Sequence, residues 1–252
     1  MTARSPWSAP VPSTFTRRTA PRVPILLLAL VALLLGVAGC GAGAPSAPAP
    51  PPLPAGPDLM TRAAAAMAQV QTVAVDVAVD PALTSIPVRS ATGKLTSAGD
   101  AIGTATLSQG TSTVEFNFVI TQGTLYLKGA TGQYQRLPLA LAAGIYDPTA
   151  LLSPDRGVAA LLRTATNATT EAREDVNGVP AYRVRATLDP NLVTGIVPGL
   201  TGATTGTVWI DQASSRVLKA QIDVPNPAGG GPVPVTVTLS DFNAPVTVTP
   251  PS

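Results

Sequence analysis

Cys40 is the residue in this chain best placed to undergo a reaction. It is the single cysteine among 252 residues, and it follows Val37-Ala38-Gly39. Small residues ahead of a cysteine let the peptide lie extended in a peptidase cleft. The thiol is then the attachment point for a diacylglycerol, and cleavage leaves Cys40 as a new N-terminus. This is the lipobox pattern of bacterial lipoproteins.

No other group is set up for nucleophilic or acid–base work. The chain has no histidine, so neither a His-based triad nor a His/Cys zinc site can form. One cysteine allows no internal disulfide. Asp155, Glu171, Glu174, Asp175 and Asp189 are scattered over expected surface segments, and although a carboxylate pair is possible in principle, none sits with aromatic residues in a polar cleft pattern. Asp175-Val176-Asn177-Gly178 reads as a turn and not a calcium loop, because no glutamate follows at loop spacing. Asn167-Ala168-Thr169 fits a glycosylation sequon, which carries little weight beside a bacterial lipobox. No glycine-rich run joins a strand to a helix, so no phosphate cradle is expected. The reading is a non-enzyme with no metal and no cofactor. A net charge of +2 is too small for a partner bound by phosphate neutralisation, so no nucleic acid is expected.

The surroundings of Cys40 support export. Residues 1–39 hold four arginines (Arg4, Arg17, Arg18, Arg22) and no acid, which leaves 12 basic against 14 acidic residues from position 40 onward. Arg17, Arg18 and Arg22 precede a nearly unbroken apolar run of 15 residues, Val23 to Val37. A membrane span needs roughly 20 residues, whereas a signal-peptide core is shorter. Residues 1–39 are therefore expected to be a signal peptide. The mature chain is expected on the extracytoplasmic face of the cell membrane, held by acyl chains at ~0.8 kcal/mol per buried methylene.

Residues 40–57 comprise the lipidated cysteine and a linker. Gly41 to Pro57 has no charge and is dominated by proline, alanine and glycine. Such a segment is extended, and its reach at ~3.1 Å per residue is roughly 50 Å.

Residues 58–252 read as one domain. Asp58 is expected to cap a helix running to Gln71, with Leu59, Met60, Ala63, Met67 and Val70 on its apolar face. The period then becomes two. Val73, Val75, Val77 and Val79 alternate with smaller or polar residues, a half-buried strand. Strands follow at Lys94–Thr96, Gly103–Gln109 (Ala105 and Leu107 on one face), Thr111–Ile120 (Val114, Phe116, Phe118 and Ile120 on one face), Thr124–Lys128 and Tyr134–Leu137. Ser153-Pro154 reads as a helix start. Strands resume at Glu171–Val176 and Val179–Leu188 around an Asn177-Gly178 hairpin turn, with Tyr182, Val184, Ala186 and Leu188 sharing a face. A short helix at Pro190–Val197 precedes strands at Gly206–Asp211, Arg216–Asp223 and Val233–Asp241, and Val246-Thr247-Val248 could add an edge. Strands in blocks, with few helices, give an α+β class: a curved antiparallel sheet with helices gathered on one face. The aliphatic stripes have two readings, a filled core or in part the lining of a cavity.

Several blocks resemble a known family. They are Gly123-Thr124-Leu125-Tyr126, Ile145-Tyr146-Asp147-Pro148, Leu151-Leu152-Ser153-Pro154-Asp155 and the run Gly157 to Leu162. Further blocks are Glu174 to Gly178, Gly206 to Ile210, Leu218 to Asp223 and the ending Val246 to Pro251. Their order along the domain is similar to that of the LppX/LprA/LprF/LprG family of actinobacterial lipoproteins, most of all its LprG-type members. The resemblance implies a half-barrel sheet with helices on its concave face around an apolar cavity. It implies multiply acylated lipids or glycolipids as ligands, among them phosphatidylinositol mannosides, lipoarabinomannan and triacylglycerides. These would be carried or presented across the cell envelope, often with a membrane lipid exporter as partner. It also implies a cavity wall on the strand of Ala105 and Leu107 and on the strand from Val114 to Ile120; with the other aliphatic stripes, the expected lining is Val75, Val77, Ala105, Leu107, Val114, Phe116, Phe118, Ile120, Leu125, Val184 and Ile196. Phe116 stands where the family pattern has a smaller residue, and Ala105 where it has a larger one. The alternative is a cargo-free envelope scaffold or regulator of a membrane partner.

Overall fold

The structure, a computed structural model, describes residues 51–110, 112–142, 148–196, 200, 205–226 and 229–251. The export signal, Cys40 and the linker up to residue 50 lie outside the described residues.

Helix α1 spans Gly56–Met67 with Ala55 as its N-cap and no capping side chain, which corrects the cap expected at Asp58; Asp58 lies inside the first turn, where a carboxylate favours the helix dipole. Leu59, Met60, Ala63 and Met67 form its buried face. It stops four residues before the expected Gln71. The Gln71 N–H donates instead to Asn243 Oδ1 at 2.8 Å, so a distant side chain satisfies it in place of a helical carbonyl.

Eleven strands follow: β1 (Thr72–Val79), β2 (Val88–Thr96), β3 (Ala101–Gln109), β4 (Ser112–Thr121), β5 (Thr124–Lys128), β6 (Gln135–Pro138), β7 (Thr166–Val176), β8 (Val179–Thr187), β9 (Thr205–Asp211), β10 (Val217–Val224) and β11 (Val233–Ser240). They form one sheet in the order β6-β5-β4-β3-β2-β1-β11-β10-β9-β8-β7. Every pairing is antiparallel. β6 and β7 are the two edges, so the sheet does not close into a barrel. Two-residue turns with positive φ set the registers of two hairpins, Gln122-Gly123 between β4 and β5 and Asn177-Gly178 between β7 and β8. Their twist matches that of the strands they join.

Four short helices complete the fold: α2 (Leu139–Ala142), α3 (Pro148–Leu152), α4 (Val158–Thr164) and α5 (Pro190–Ile196). The expected helix start at Ser153-Pro154 is corrected here: the two residues lie in a turn between α3 and α4. Gly157 caps α4 and donates its N–H to Ser153 O at 2.8 Å. A Cβ on Gly157 would stand 2.3 Å from Leu151 O, so the chain reverses closely over the end of α3. The tail at 246–248 has no regular secondary structure and pairs with no strand, which corrects the edge expected there. It leaves from β11, whose two neighbours are already β1 and β10, and Pro245 and Pro250 have no N–H to give. The tail is tied instead to the start of β1, through Thr72 Oγ1 to Ala244 O at 2.6 Å and Asn243 N to Thr72 O at 2.8 Å.

The helices pack on one face of the sheet. Leu59, Met60, Ala63 and Met67 share a core with Val73, Leu95, Ala101 and Ile120, and with Val184, Val208, Ile210 and Val217 from the far half of the sheet. A second core joins Leu83 and Ile86 of the β1–β2 connection to Leu188, Val193, Leu200, Ile222 and Val235.

Candidate functional site

Strand register shows which side chains lie side by side on the helix-bearing face. One row runs Val73–Leu95–Ala101–Ile120–Leu125–Leu137 across β1 to β6. The next runs Val75–Gly93–Gly103–Phe118–Leu127. A third runs Val77–Ala91–Ala105–Phe116, and Val88–Leu107–Val114 makes a fourth. Rows are about 7 Å apart along the strands and neighbours about 4.8 Å apart across them.

Burial divides this face in two. In the β8–β11 half, Val184, Ile210 and Val235 are 0% exposed, and Val208 and Ile222 are 6% exposed. The helices, with Leu83 and Ile86 of the β1–β2 connection, cover most of that half, where Tyr182 and Ala220 stay partly buried. In the β1–β5 half, Val75, Val77, Ala91, Ala105, Leu107, Val114, Phe116, Phe118 and Leu127 are only half-buried. They form an apolar trough whose side chains still meet solvent. The row nearest α1 is sealed, with Leu95, Ala101 and Ile120 at 5%, 1% and 4% exposure. The trough therefore opens away from α1, toward the row of Val88, Leu107 and Val114.

Of the side chains expected to line a cavity, seven stand in this trough (Val75, Val77, Ala105, Leu107, Val114, Phe116 and Phe118), and Leu125 is the half-buried end of the row that Leu95, Ala101 and Ile120 seal. Ile120 belongs to the sealed row. Val184 and Ile196 belong to the packed core of the far half, with Ile196 on α5. Sequence reasoning missed Leu127 of β5 and, on β2 and β3, Ala91, Gly93 and Gly103. The signal was an alternation of small residues, Ala91-x-Gly93-x-Leu95, too weakly apolar to mark β2 before Lys94.

Arg89 holds the segment that leads into β2. Its Nη2 donates to Ile86 O at 2.7 Å and Leu83 O at 3.2 Å, and its Nη1 to Asp80 O at 3.2 Å. Each carbonyl in that non-repetitive stretch thereby gains a charge-assisted donor. A separate cleft of about 280 Å³ lies between the end of α1 (Ala68, Val70, Gln71), Ser97 and the α3–α4 turn. It lies at the sealed end of the sheet and is lined by both polar and apolar groups.

The outer face carries charge. Glu174 accepts from Trp209 Nε1 at 2.7 Å and pairs with Arg183, which also bonds Glu171 Oε2 at 2.9 Å. Lys219 Nζ sits 4.5 Å from the Trp209 ring centroid, a cation–π distance. Glu171 and Glu174 are thus occupied structurally. Asp189 Oδ1 likewise accepts from the Asn191 N–H at 2.9 Å at the start of α5.

An unclosed antiparallel half-barrel with helices on one face defines an α+β fold shared with the solved structures of LprF and the lipoprotein LppX. LprF from Mycobacterium bovis superposes with a TM-score of 0.69 at 27% identity, covering 78% of this chain and 97% of that one. LppX from Mycobacterium tuberculosis has the same fold at a TM-score of 0.54 and 23% identity, covering 77% of this chain and 99% of that one. The sequence is similar to the lipoarabinomannan carrier protein LprG of Mycolicibacterium smegmatis, 38% identical over 66% of this chain and 70% of that protein. The corresponding protein of Mycobacterium leprae is 34% identical over 67% of this chain and 71% of its own length. The LppX_LprAFG lipoprotein model matches residues 55–248. The chain belongs to the LppX_LprAFG lipoprotein family.

Proposed function

We propose that this protein is a membrane-anchored lipoprotein that binds multiply acylated lipids or glycolipids in the trough and carries or presents them across the cell envelope. The observation that carries this is the contrast in burial: the same alternating aliphatic face is mostly packed shut over β8–β11 and left half-open over β1–β5. A contiguous apolar floor left open to water is a costly feature in a soluble domain, and such surfaces mark ligand grooves and interaction sites. The relatives named as lipoarabinomannan carriers and the putative diacylglycolipid transporter LprF of Mycobacterium bovis point to the same class of ligand.

Energetics favour a carrier over free diffusion. Withdrawing a chain of ~16 methylenes from a bilayer costs ~13 kcal/mol at ~0.8 kcal/mol each. An apolar trough replaces part of the bilayer environment for the bound chain, which brings transfer closer to balance, and the carrier itself needs no nucleotide. The glycan of a glycolipid remains outside, and a membrane lipid exporter is the natural partner for loading or release. Cys40 is the anchor, residues 1–39 the removed signal and residues 40–57 the tether, its last two residues already opening α1, with residues 58–252 as the lipid-binding domain.

Native mass spectrometry of the chain purified from an actinobacterial host tests the reading. Stoichiometric acylated lipid is expected, and a clean apo mass with no uptake of added glycolipid or triacylglyceride would sink it. Cys40→Ala is expected to abolish palmitate labelling and release the chain from the membrane fraction. Continued labelling would place the anchor elsewhere.

A further inference from the structure

Phe118 fills the space of two residues that have no side chain. Gly93 and Gly103 face each other across β2 and β3, and Gly103 pairs with Phe118 on β4. Phe118 Cζ stands 3.3 Å from where a Cβ on Gly93 would be and 2.9 Å from where one on Gly103 would be. The ring therefore lies down across two strands and roofs the glycine pair. Phe116, on the same face of β4, leans the other way: its Cε1 is 3.9 Å from the Cβ position of Gly129, beyond the end of β5. The two rings part, and the Ala91–Ala105 pair lies on the floor beside them.

The ring's place along the trough gives it a role. On its α1 side is the sealed row of Leu95, Ala101 and Ile120. On its other side are the half-buried rows of Ala105 and Leu107. Phe118 stands in the last half-open row before the seal. We infer that Phe118 is the stop of the acyl channel: the terminal methyl of a bound chain rests against its ring, and the ring's position over Gly93 and Gly103 sets the chain length accepted. The inference rests on the acyl-lipid reading above. The contact is apolar on both sides, so selection is by length and not by headgroup. A chain shorter than the channel leaves its end unfilled and loses dispersion contacts. A longer one must expose methylenes at the mouth.

The test uses the full chain and synthetic diacylglycerols with two identical saturated chains of graded length, read by native mass spectrometry in competition. Affinity for wild type should rise about fourfold per buried methylene and then level off at a fixed length. Phe118→Ala should move that plateau to longer chains, Phe118→Leu should move it less, and Phe118→Trp should move it to shorter ones. The Leu variant keeps an apolar side chain in the row, so a folding defect confined to Phe118→Ala leaves the readout intact, and circular dichroism confirms which variants are folded. An unchanged plateau in the folded variants would overturn the stop while leaving the carrier reading standing. Wild type that takes up glycolipid or triacylglyceride but no diacylglycerol would overturn selection by chain length alone, and wild type that takes up none of the three would overturn both.

Discussion

Glu174 serves two partners on the outer face, the Trp209 indole N–H and the Arg183 guanidinium. Its loss leaves a mostly buried Trp209 donor unpaired, since that residue is 8% exposed. Hydrogen bonds to charged groups are worth about 1.5–3 kcal/mol, and an unsatisfied buried donor costs about 1–3 kcal/mol. Glu174→Ala should therefore lower stability by about 1–3 kcal/mol in urea unfolding, and Glu174→Gln by less, because the amide oxygen still accepts from the indole. Equal midpoints for wild type and Glu174→Ala would show that the Trp209 contact carries no net stability. This chemistry faces away from the trough, so neither change should alter lipid content.

At the scale of elements, β2 and β3 depend on their facing glycines. A Cβ on Gly103 would come 2.1 Å from Thr92 O, and one on Gly93 would come 2.7 Å from Ile102 O. Both obstacles are backbone, which cannot rotate aside. Gly103→Ala must spread two paired strands and displace the Phe118 ring, a form of overpacking that costs about 1–3 kcal/mol or more. Gly93→Ala meets a looser contact and should cost less. Thermal melts of the two variants check the order, and a Gly103→Ala protein as stable as wild type would mean that the strands yield freely. The helical elements show the same dependence on close approach. α3 and α4 are separate because the chain turns back at Gly157, and the Ser153-Pro154 pattern fits the first turn of a helix and this reversal equally well.

For the whole molecule, the consequence of the fold is the uneven cover on one continuous sheet. Ala105 pairs with Ala91 and Phe116 in the middle of the open half and is itself half-buried. Ala105→Trp should place an indole in the trough, removing copurifying lipid without unfolding the domain. Lipid content is read by extraction and mass spectrometry, and the fold by circular dichroism. Unchanged lipid in a folded Ala105→Trp protein would put the cargo somewhere other than this trough. Among the described residues no helix is long and apolar enough to cross a membrane.

What the sequence determined by itself is which side chains share a face. Val114, Phe116, Phe118 and Ile120 alternate with Thr113, Glu115 and Asn117, and a strand's period of two sends them to one side whatever the strand pairs with. Asn177-Gly178 likewise fixes a hairpin, because its positive φ angles suit only a tight turn. The tertiary structure decided how that face is used. Val184 and Phe118 have the same local signature, a large apolar residue in an alternating run, yet one is sealed in the core and the other stands in the trough. The difference comes from where α1, α4 and α5 come to rest on the sheet. That placement is set by packing among residues far apart in the chain, Met60 and Ile210 being members of one core, and no local period encodes it. The glycine pair under Phe118 was hidden for the same reason. A glycine in a strand shows only that a side chain is missing, and the ring that fills its space comes from another strand.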